Sequence, residues 1–456
     1  MIEPRRISFV SLGCAKNLVD SEKMLGQLVE AGCIITADED DADVAVINTC
    51  GFLDESRKEA DEVIREFVAR KAQGNLKRVV VAGCLVQRDK DALLTRVEGI
   101  DALVGVNNRD DIVRAVVGTQ GPRADRVADI FLSDYHPFTQ IDTARLRLTP
   151  RHYAYLRISE GCDQKCTFCT IPSIRGRMHC KPPAMVEAEA RELVADGAVE
   201  IILIGQDTTS YGLGEDAIEG GLASLLRRLN KIDGLKWIRL MYVYPSVLSD
   251  EMLDAIAECD HVCNYIDIPL QHISDRVLKS MHRRIDRSAT ERLLRRIRDR
   301  IPGVTVRTTL IAGFPGETQE EFQELMDFIR AFGFDALGVF PYSREPDTPA
   351  GRMADQIPDA TKRRRVDALM SAQQEVAFSM ARERIADRFD VLVDETLESG
   401  SVIARHQGQA PQVDGVTIVE ACDASPGDFV GVRCIKSKDY DLIATPTQTS
   451  LPVVNR

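Results

Sequence analysis

Cys162, Cys166 and Cys169 bring three thiols into one short segment, Arg157-Ile-Ser-Glu-Gly-Cys162-Asp-Gln-Lys-Cys166-Thr-Phe-Cys169. Thiolates are soft ligands, and a Cys-x3-Cys-x2-Cys loop suits an iron–sulfur cluster. A cubane has four irons, so three cysteines leave one iron free to bind a small molecule and pass it an electron. Four cysteines would close the site and suit plain electron transfer. The same thiols could instead form half of a ferredoxin site or a structural zinc knuckle. For zinc, His179 and Cys180, ten and eleven residues on, are the candidate fourth ligands.

Cys14, Cys50 and Cys84 form a second set. Each ends a strand-like run, ISFVSLGC, VAVINTC and VVVAGC, and they stand 36 and 34 residues apart, about one βα unit each. In an open parallel sheet the carboxyl ends of the strands share one edge, where ligands bind. Three thiols would converge there, and Gly13, Gly51 and Gly83 allow tight turns around a bulky ligand. This spacing predicts a second 4Fe–4S cluster, again with one iron unliganded by protein. Three ordinary buried cysteines are the plainer alternative.

Parallel sheets must position both sets. Strand-like runs at Arg6–Gly13, Asp43–Thr49 and Lys77–Ala82 alternate with helices at Ser21–Ala31 and Asp54–Ala72. The pattern repeats more weakly through Val117, which predicts an open parallel-sheet α/β domain over 1–121. Residues 122–147 read as a linker that docks on the next domain. Alternation restarts at Tyr153, with strands at Tyr153–Ser159, Glu200–Ile204, Trp237–Val243, Tyr265–Ile268, Val304–Ile311 and Ala336–Phe340. Six units are too few for a closed eight-stranded barrel, so a partial (β/α)6 barrel is expected over 148–380, ending in a long charged helix at Thr361–Ala386. Short strands broken by Gly, Pro and Asp over 383–450 predict a small antiparallel β-barrel.

The 456 residues carry a net charge of −13, a poor match to bulk nucleic acid. No apolar run approaches the roughly 18 residues that would cross a bilayer, and the amino terminus lacks a signal peptide's apolar stretch. A cytoplasmic protein with no membrane partner is expected, and its 12 cysteines point to metal or redox chemistry rather than disulfides.

The cysteine spacing, with Phe168 before the last thiol, resembles the radical S-adenosylmethionine superfamily. The resemblance implies a cluster chelated by S-adenosylmethionine, whose reductive cleavage gives a 5′-deoxyadenosyl radical. It makes Cys162, Cys166 and Cys169 the catalytic cluster ligands. It also implies cofactor contacts from Phe168, from Gly205, Gln206 and Asp207 after the second strand, and from Gly313, Gly316 and Glu317 after the fifth. For any one glycine, a simple strand-to-helix turn is as good an account.

The pairing of two three-cysteine sets resembles the methylthiotransferase family over nearly the whole chain, including a C-terminal TRAM barrel (OB-like). Ser11-Leu-Gly-Cys14-Ala-Lys-Asn17-Leu-Val-Asp20-Ser21-Glu22, Asn48-Thr-Cys50-Gly-Phe, Tyr265-Ile-Asp-Ile-Pro-Leu-Gln271-His272 and Val339-Phe-Pro-Tyr342-Ser are similar to the branch that modifies an aspartate of a ribosomal protein. Ala15 departs from that branch's usual proline. The resemblance implies two 4Fe–4S clusters, S-adenosylmethionine, an external flavodoxin-like electron donor and a sulfur donor. The implied reaction adds a methylthio group to the β-carbon of an aspartate in small-subunit ribosomal protein number twelve. The alternatives are a tRNA adenosine methylthiotransferase and a non-enzymatic iron–sulfur electron carrier. Residues 387–456 hold 11 acidic and 6 basic residues. Such a barrel suits a basic ribosomal protein and argues against a direct tRNA substrate, although a merely solvated surface also accounts for it.

Other chemistry-bearing residues are expected to be structural. Cys259 and Cys263 flank His261 without a fourth ligand, and Cys33, Cys422 and Cys434 read as core. Cys180 has no role implied by the family. His272 faces the site or is a satisfied core histidine. Lys362–Arg365 reads as a solvated helix face.

Overall fold

The computed structural model describes residues 5–118, 128–133, 141–214 and 217–447. Of the expected linker, 122–127 and 134–140 lie outside the described residues, as do 448–450 of the expected barrel.

Six parallel strands form the N-terminal sheet: β1 (Arg6–Ser11), β2 (Ile34–Ile35), β3 (Val44–Thr49), β4 (Arg78–Gly83), β5 (Ala102–Val104) and β6 (Asp129–Phe131), in the order β2-β1-β3-β4-β5-β6. β3 and β4 are buried at every residue, which is why they read as continuous apolar runs. The helix Ala15–Glu30 begins directly after Cys14, six residues before the expected start. Its first turns bury Lys16, Asn17 and Asp20, so they carry no apolar stripe. One side of this helix meets its own sheet, and Val19 packs on Tyr155, Ile202 and Ile204 of the next domain.

The central domain has β7 (Tyr153–Arg157), a short antiparallel pair β8 (Ser159–Glu160) and β9 (His179–Cys180), then β10 (Glu200–Ile204), β11 (Trp237–Leu240), β12 (Val262–Asp267), β13 (Thr305–Ala312) and β14 (Ala336–Pro341). β7 and β10–β14 make one open parallel sheet in sequential order, the six-unit partial barrel. β8 and β9 pair across the base of the cysteine loop and hold its two ends together.

The helix Gln319–Phe332 opens on a capping box between Thr318 and Glu321. Partial burial opposes the charge of Glu321, but the Arg276 guanidinium and the Thr318 amide outweigh it and bring its carboxyl down to about 2. A carboxylate held below its unfolded value stabilises above about pH 4.5, and that contribution is lost as pH falls toward 2. Glu321→Gln should therefore cost about 1 kcal/mol at pH 7, and thermal melts should show the gap from the parent narrowing below pH 4.

After the helix Asp359–Glu383, the strands β15 (Arg388–Thr396), β16 (Val402–His406), β17 (Thr417–Val419), β18 (Phe429–Lys438) and β19 (Asp441–Pro446) close a barrel ordered β15-β16-β17-β19-β18. Its pairs are antiparallel except β17–β19, which is parallel. The barrel sits against the amino ends of the central strands. Glu200, at the start of β10, is fully buried between Arg239 at 2.7 Å and the barrel's Arg405 at 2.8 Å. His152 meets Asp394 at 2.8 Å, and the Tyr265 hydroxyl donates to Asp414 at 2.8 Å.

Candidate active site: two cysteine sets on facing sheet edges

Cys14, Cys50 and Cys84 follow the neighbouring strands β1, β3 and β4, so their turns lie side by side. The crowding is measurable at the glycines. A Cβ on Gly13, whose φ is +102°, would lie 2.9 Å from the Cys50 Cβ, and one on Gly51 would lie 2.7 Å from the Cys84 carbonyl oxygen. Asn17 ties the three turns together. Its amide donates to the carbonyls of Leu12 at 3.1 Å and Thr49 at 2.8 Å, and its oxygen accepts from the Cys84 thiol at 3.3 Å. Burial pushes the Cys84 thiol up to about 12, against the opposing pull of Arg175. Gly51→Ala should cost about 1–3 kcal/mol through overpacking, with a lower Tm and less iron retained after anaerobic reconstitution.

Cys162, Cys166 and Cys169 lie on the loop between β8 and β9, all half-buried and none in a disulfide. Burial pushes Cys162 and Cys169 up to about 12. The loop is well braced: Thr167 binds the carbonyls of Met281 and Ser280, and the Gln164 amide donates to Asp207 at 2.9 Å. Donors point at sulfur. The Ile171 amide lies 3.4 Å from the Cys169 Sγ, and an Arg283 nitrogen lies 3.7 Å from the Cys166 Sγ. Hydrogen bonds to sulfur are what a thiolate-held iron–sulfur cluster uses. Zinc fits less well. Cys180 is buried with its sulfur accepting the Gly212 amide at 3.3 Å, and His179 is turned to the Arg177 carbonyl. Among the described residues no three His, Cys, Asp or Glu side chains close on a single metal ion.

A buried polar network that sequence reasoning missed joins the two sets. Arg175, six residues past Cys169, reaches the Cys84 sulfur at 3.2 Å, Asn17 at 2.7 Å, Asp20 at 3.0 Å and Glu160 at 2.9 Å. Arg157 binds Asp20, Asp142 and Glu160. Glu160 continues to Gln206 at 2.5 Å. Glu345, beyond β14, receives Arg57 and Arg88 of the N-terminal domain, both at 2.7 Å. The two sheets therefore meet carboxyl edge to carboxyl edge. The signal in the sequence was charge close to the cysteines at Arg157, Glu160 and Arg175, which spacing alone does not pair.

The residues expected at the cofactor divide into two groups. Gly205, Gln206 and Asp207 stand at the cysteine loop, where a Cβ on Gly205 would meet the Ser159 hydroxyl at 2.6 Å. Phe168 packs with Phe314 and Tyr342 beyond β13 and β14. Gly313 and Gly316 have φ of +76° and +73° and make the strand-to-helix turn. Glu317 is buried, accepting the amides of Gly313 and Phe314 and pairing with Arg365 at 2.7 Å, so its carboxylate braces that turn. His272 is fully buried; its Nδ1 accepts the Ser274 amide, while its Nε2, 3.7 Å from a Glu317 oxygen, has no hydrogen-bond partner among the described residues. The solvated face expected at Lys362–Arg365 is corrected at two positions. Lys362 and Arg365 are buried, because Lys362 lies over Gly313 and Arg365 neutralises Glu317. Cys33, Cys259, Cys263, Cys422 and Cys434 are buried, as expected.

Three family models match the chain: Uncharacterized protein family UPF0004 over residues 6–105, the Radical SAM superfamily over 156–329 and the TRAM domain over 385–446. The chain is 42% identical over 442 residues to a ribosomal protein uS12 methylthiotransferase RimO of Trichlorobacter lovleyi, covering 96% of this chain and 98% of that one. It is 41% identical over 445 residues to the protein of the same description from Lachnoclostridium phytofermentans, covering 96% and 99%. Among solved structures, the radical S-adenosylmethionine methyltransferase TsrM from Kitasatospora setae, with cobalamin and a [4Fe-4S] cluster bound, superposes with a TM-score of 0.55 at 18% identity, covering 76% of this chain and 77% of that one. The cobalamin-dependent radical enzyme OxsB superposes at 0.51 and 13% identity, covering 83% and 56%. These two likenesses concern the fold.

Proposed function

The chain belongs to the ribosomal protein uS12 methylthiotransferase (RimO) family, and from that membership we propose that it adds a methylthio group to the β-carbon of an aspartate in uS12. That carbon, beside a carboxylate, is not acidic enough for ordinary base chemistry, so a radical route is required. The single observation that carries the reading is the facing of two three-cysteine sets, linked where Arg175 reaches the Cys84 sulfur at 3.2 Å.

Cys162, Cys166 and Cys169 would hold the 4Fe–4S cluster of the radical family, and Cys14, Cys50 and Cys84 a second. When bound, these clusters and S-adenosylmethionine supply the carbon-activating radical and the sulfur. The chain's own residues do the positioning. Gln164, Gln206 and Glu160 fix the loop beside Asp207, and Arg283 lies over the Tyr244 ring at 4.1 Å with a nitrogen toward Cys166. Arg157 and Arg175 both pair with Asp20 and Glu160 between the two sets, and against the opposing effect of burial they bring the Glu160 carboxyl down to about 2. An external flavodoxin-like electron donor, a sulfur donor and a cytoplasmic setting complete the proposal. No helix among the described residues is long and apolar enough to cross a membrane.

The test is anaerobic turnover of the reconstituted enzyme with purified uS12 and, separately, with tRNA. The proposal requires a methylthio mass on uS12. A methylthio mass on tRNA instead would sink it, and absence of 5′-deoxyadenosine would leave only an electron carrier.

A further inference from the structure

Buried cations between the two cysteine sets are paired with acids in almost every case. Arg157 has Asp20, Asp142 and Glu160; Arg175 has Asp20 and Glu160; Arg109 has Asp20 and Asp142; Lys181 has Asp142 and Glu189. Lys16 is different. It is 8% exposed, and among the described residues no hydrogen bond or ion pair engages its ammonium, which has three donors to satisfy. Its contact is with the face of Tyr242, 3.1 Å from the ring centroid.

The nearby acids are already engaged. Asp267 accepts Arg307 at 2.8 Å with one oxygen and the Tyr242 amide at 3.1 Å with the other. Glu160 accepts Arg157 and Arg175 with one oxygen and Gln206 with the other. Tyr242 itself sits at a φ of +62°, a left-handed conformation unfavourable for an aromatic residue. The Asp267 carboxylate and the Thr208 amide, which donates to the Tyr242 carbonyl at 3.1 Å, hold it there. Backbone strain of this kind clusters at ligand-binding positions. An unpaired ammonium is thus fixed two residues from Cys14, at the edge where the central strand β11 ends.

We infer that Lys16 is the residue that binds the carboxylate of the substrate's target aspartate and so positions its β-carbon between the two cysteine sets. The inference rests on the uS12 reading above. A carboxylate gives the Lys16 ammonium the acid partner that no described side chain gives it; an asparagine amide or a nucleobase does not. Breaking a buried charge pair by removing one partner costs about 2–5 kcal/mol, which at 1.4 kcal/mol per tenfold is roughly 30-fold or more.

The probes are purified uS12 and a uS12 variant with asparagine at the target position. Each is titrated against reconstituted, unreduced holoenzyme, so that binding is read without turnover, and each is then assayed for methylthiolation. Wild type should bind the aspartate form at least tenfold more tightly than the asparagine form. Lys16→Met should bring that ratio close to one, and Lys16→Arg should restore most of it. If Lys16 only balances charge around the Cys14 set, the ratio will be the same in Lys16→Met and wild type, which overturns the inference. Equal binding of the two substrates by wild type overturns it without any variant, and so covers the case in which Lys16→Met loses iron. A wild-type enzyme that cleaves S-adenosylmethionine yet leaves uS12 unmodified refutes the substrate reading itself, a result distinguishable before any variant is made.

Discussion

Replacing Cys14, Cys50 and Cys84 together by alanine should leave an enzyme that still cleaves S-adenosylmethionine but transfers no methylthio group. The reasoning is geometric. The three cysteines close the ends of β1, β3 and β4, while Cys162, Cys166 and Cys169 belong to a loop closed separately by β8 and β9. Arg175 would lose the Cys84 sulfur but keep Asp20, Glu160 and Asn17, so the joint between the sheets survives. Iron per chain should fall by about half, 5′-deoxyadenosine should form, and mass spectrometry of uS12 should find no product. The complementary triple variant at Cys162, Cys166 and Cys169 should abolish both reactions. Methylthio product from the first variant would remove the strand-end thiols from the chemistry.

Glu200→Gln should be the most destabilising single change remote from the cysteines, at about 3–5 kcal/mol. Burial opposes the charge of Glu200, yet Arg405 and Arg239 hold its carboxyl below the usual glutamate range. Arg405 retains Asp394 in the variant. Among the described residues Arg239 pairs with no other acid, and it is fully buried, so its charge is left without an acid partner. Chemical denaturation should register the loss, and limited proteolysis should release the barrel first, since Glu200 joins barrel to core. The iron content should be kept, because the pair lies at the end of the strands away from both cysteine sets. A stability change below 1 kcal/mol would mean that the barrel docks through its other contacts alone.

The layered fold was legible because β3, β4 and β10 are buried at every residue with an apolar centre, and each ends at or is followed directly by glycine or cysteine, so the strand ends announce themselves. The cysteine sets were legible because ligand chemistry restricts spacing. Partners distant in sequence were not. Asp20 pairs with Arg157 and Arg175, more than 130 residues away, and a single sequence carries no sign of that. The start of the helix Ala15–Glu30 was hidden for the same reason, since apart from Val19 the residues buried in its first turns, Lys16, Asn17 and Asp20, are polar and read as surface. Lys362 and Arg365 misled likewise, because the glycine and the glutamate that bury them belong to another element.

The docking of the barrel on the amino ends of the central strands places it at one pole of the molecule and the cysteines at the other. Strands of four to eight residues put roughly 13–26 Å between those poles. A macromolecule gripped by the barrel must span that distance before any of its atoms reaches the cysteines. On the proposal that the barrel holds the substrate protein, it would act as a tether, raising the local concentration of a large partner without shaping the pocket. The molecule would in this way gauge the size of what it accepts, favouring a folded protein over a fragment of the same sequence.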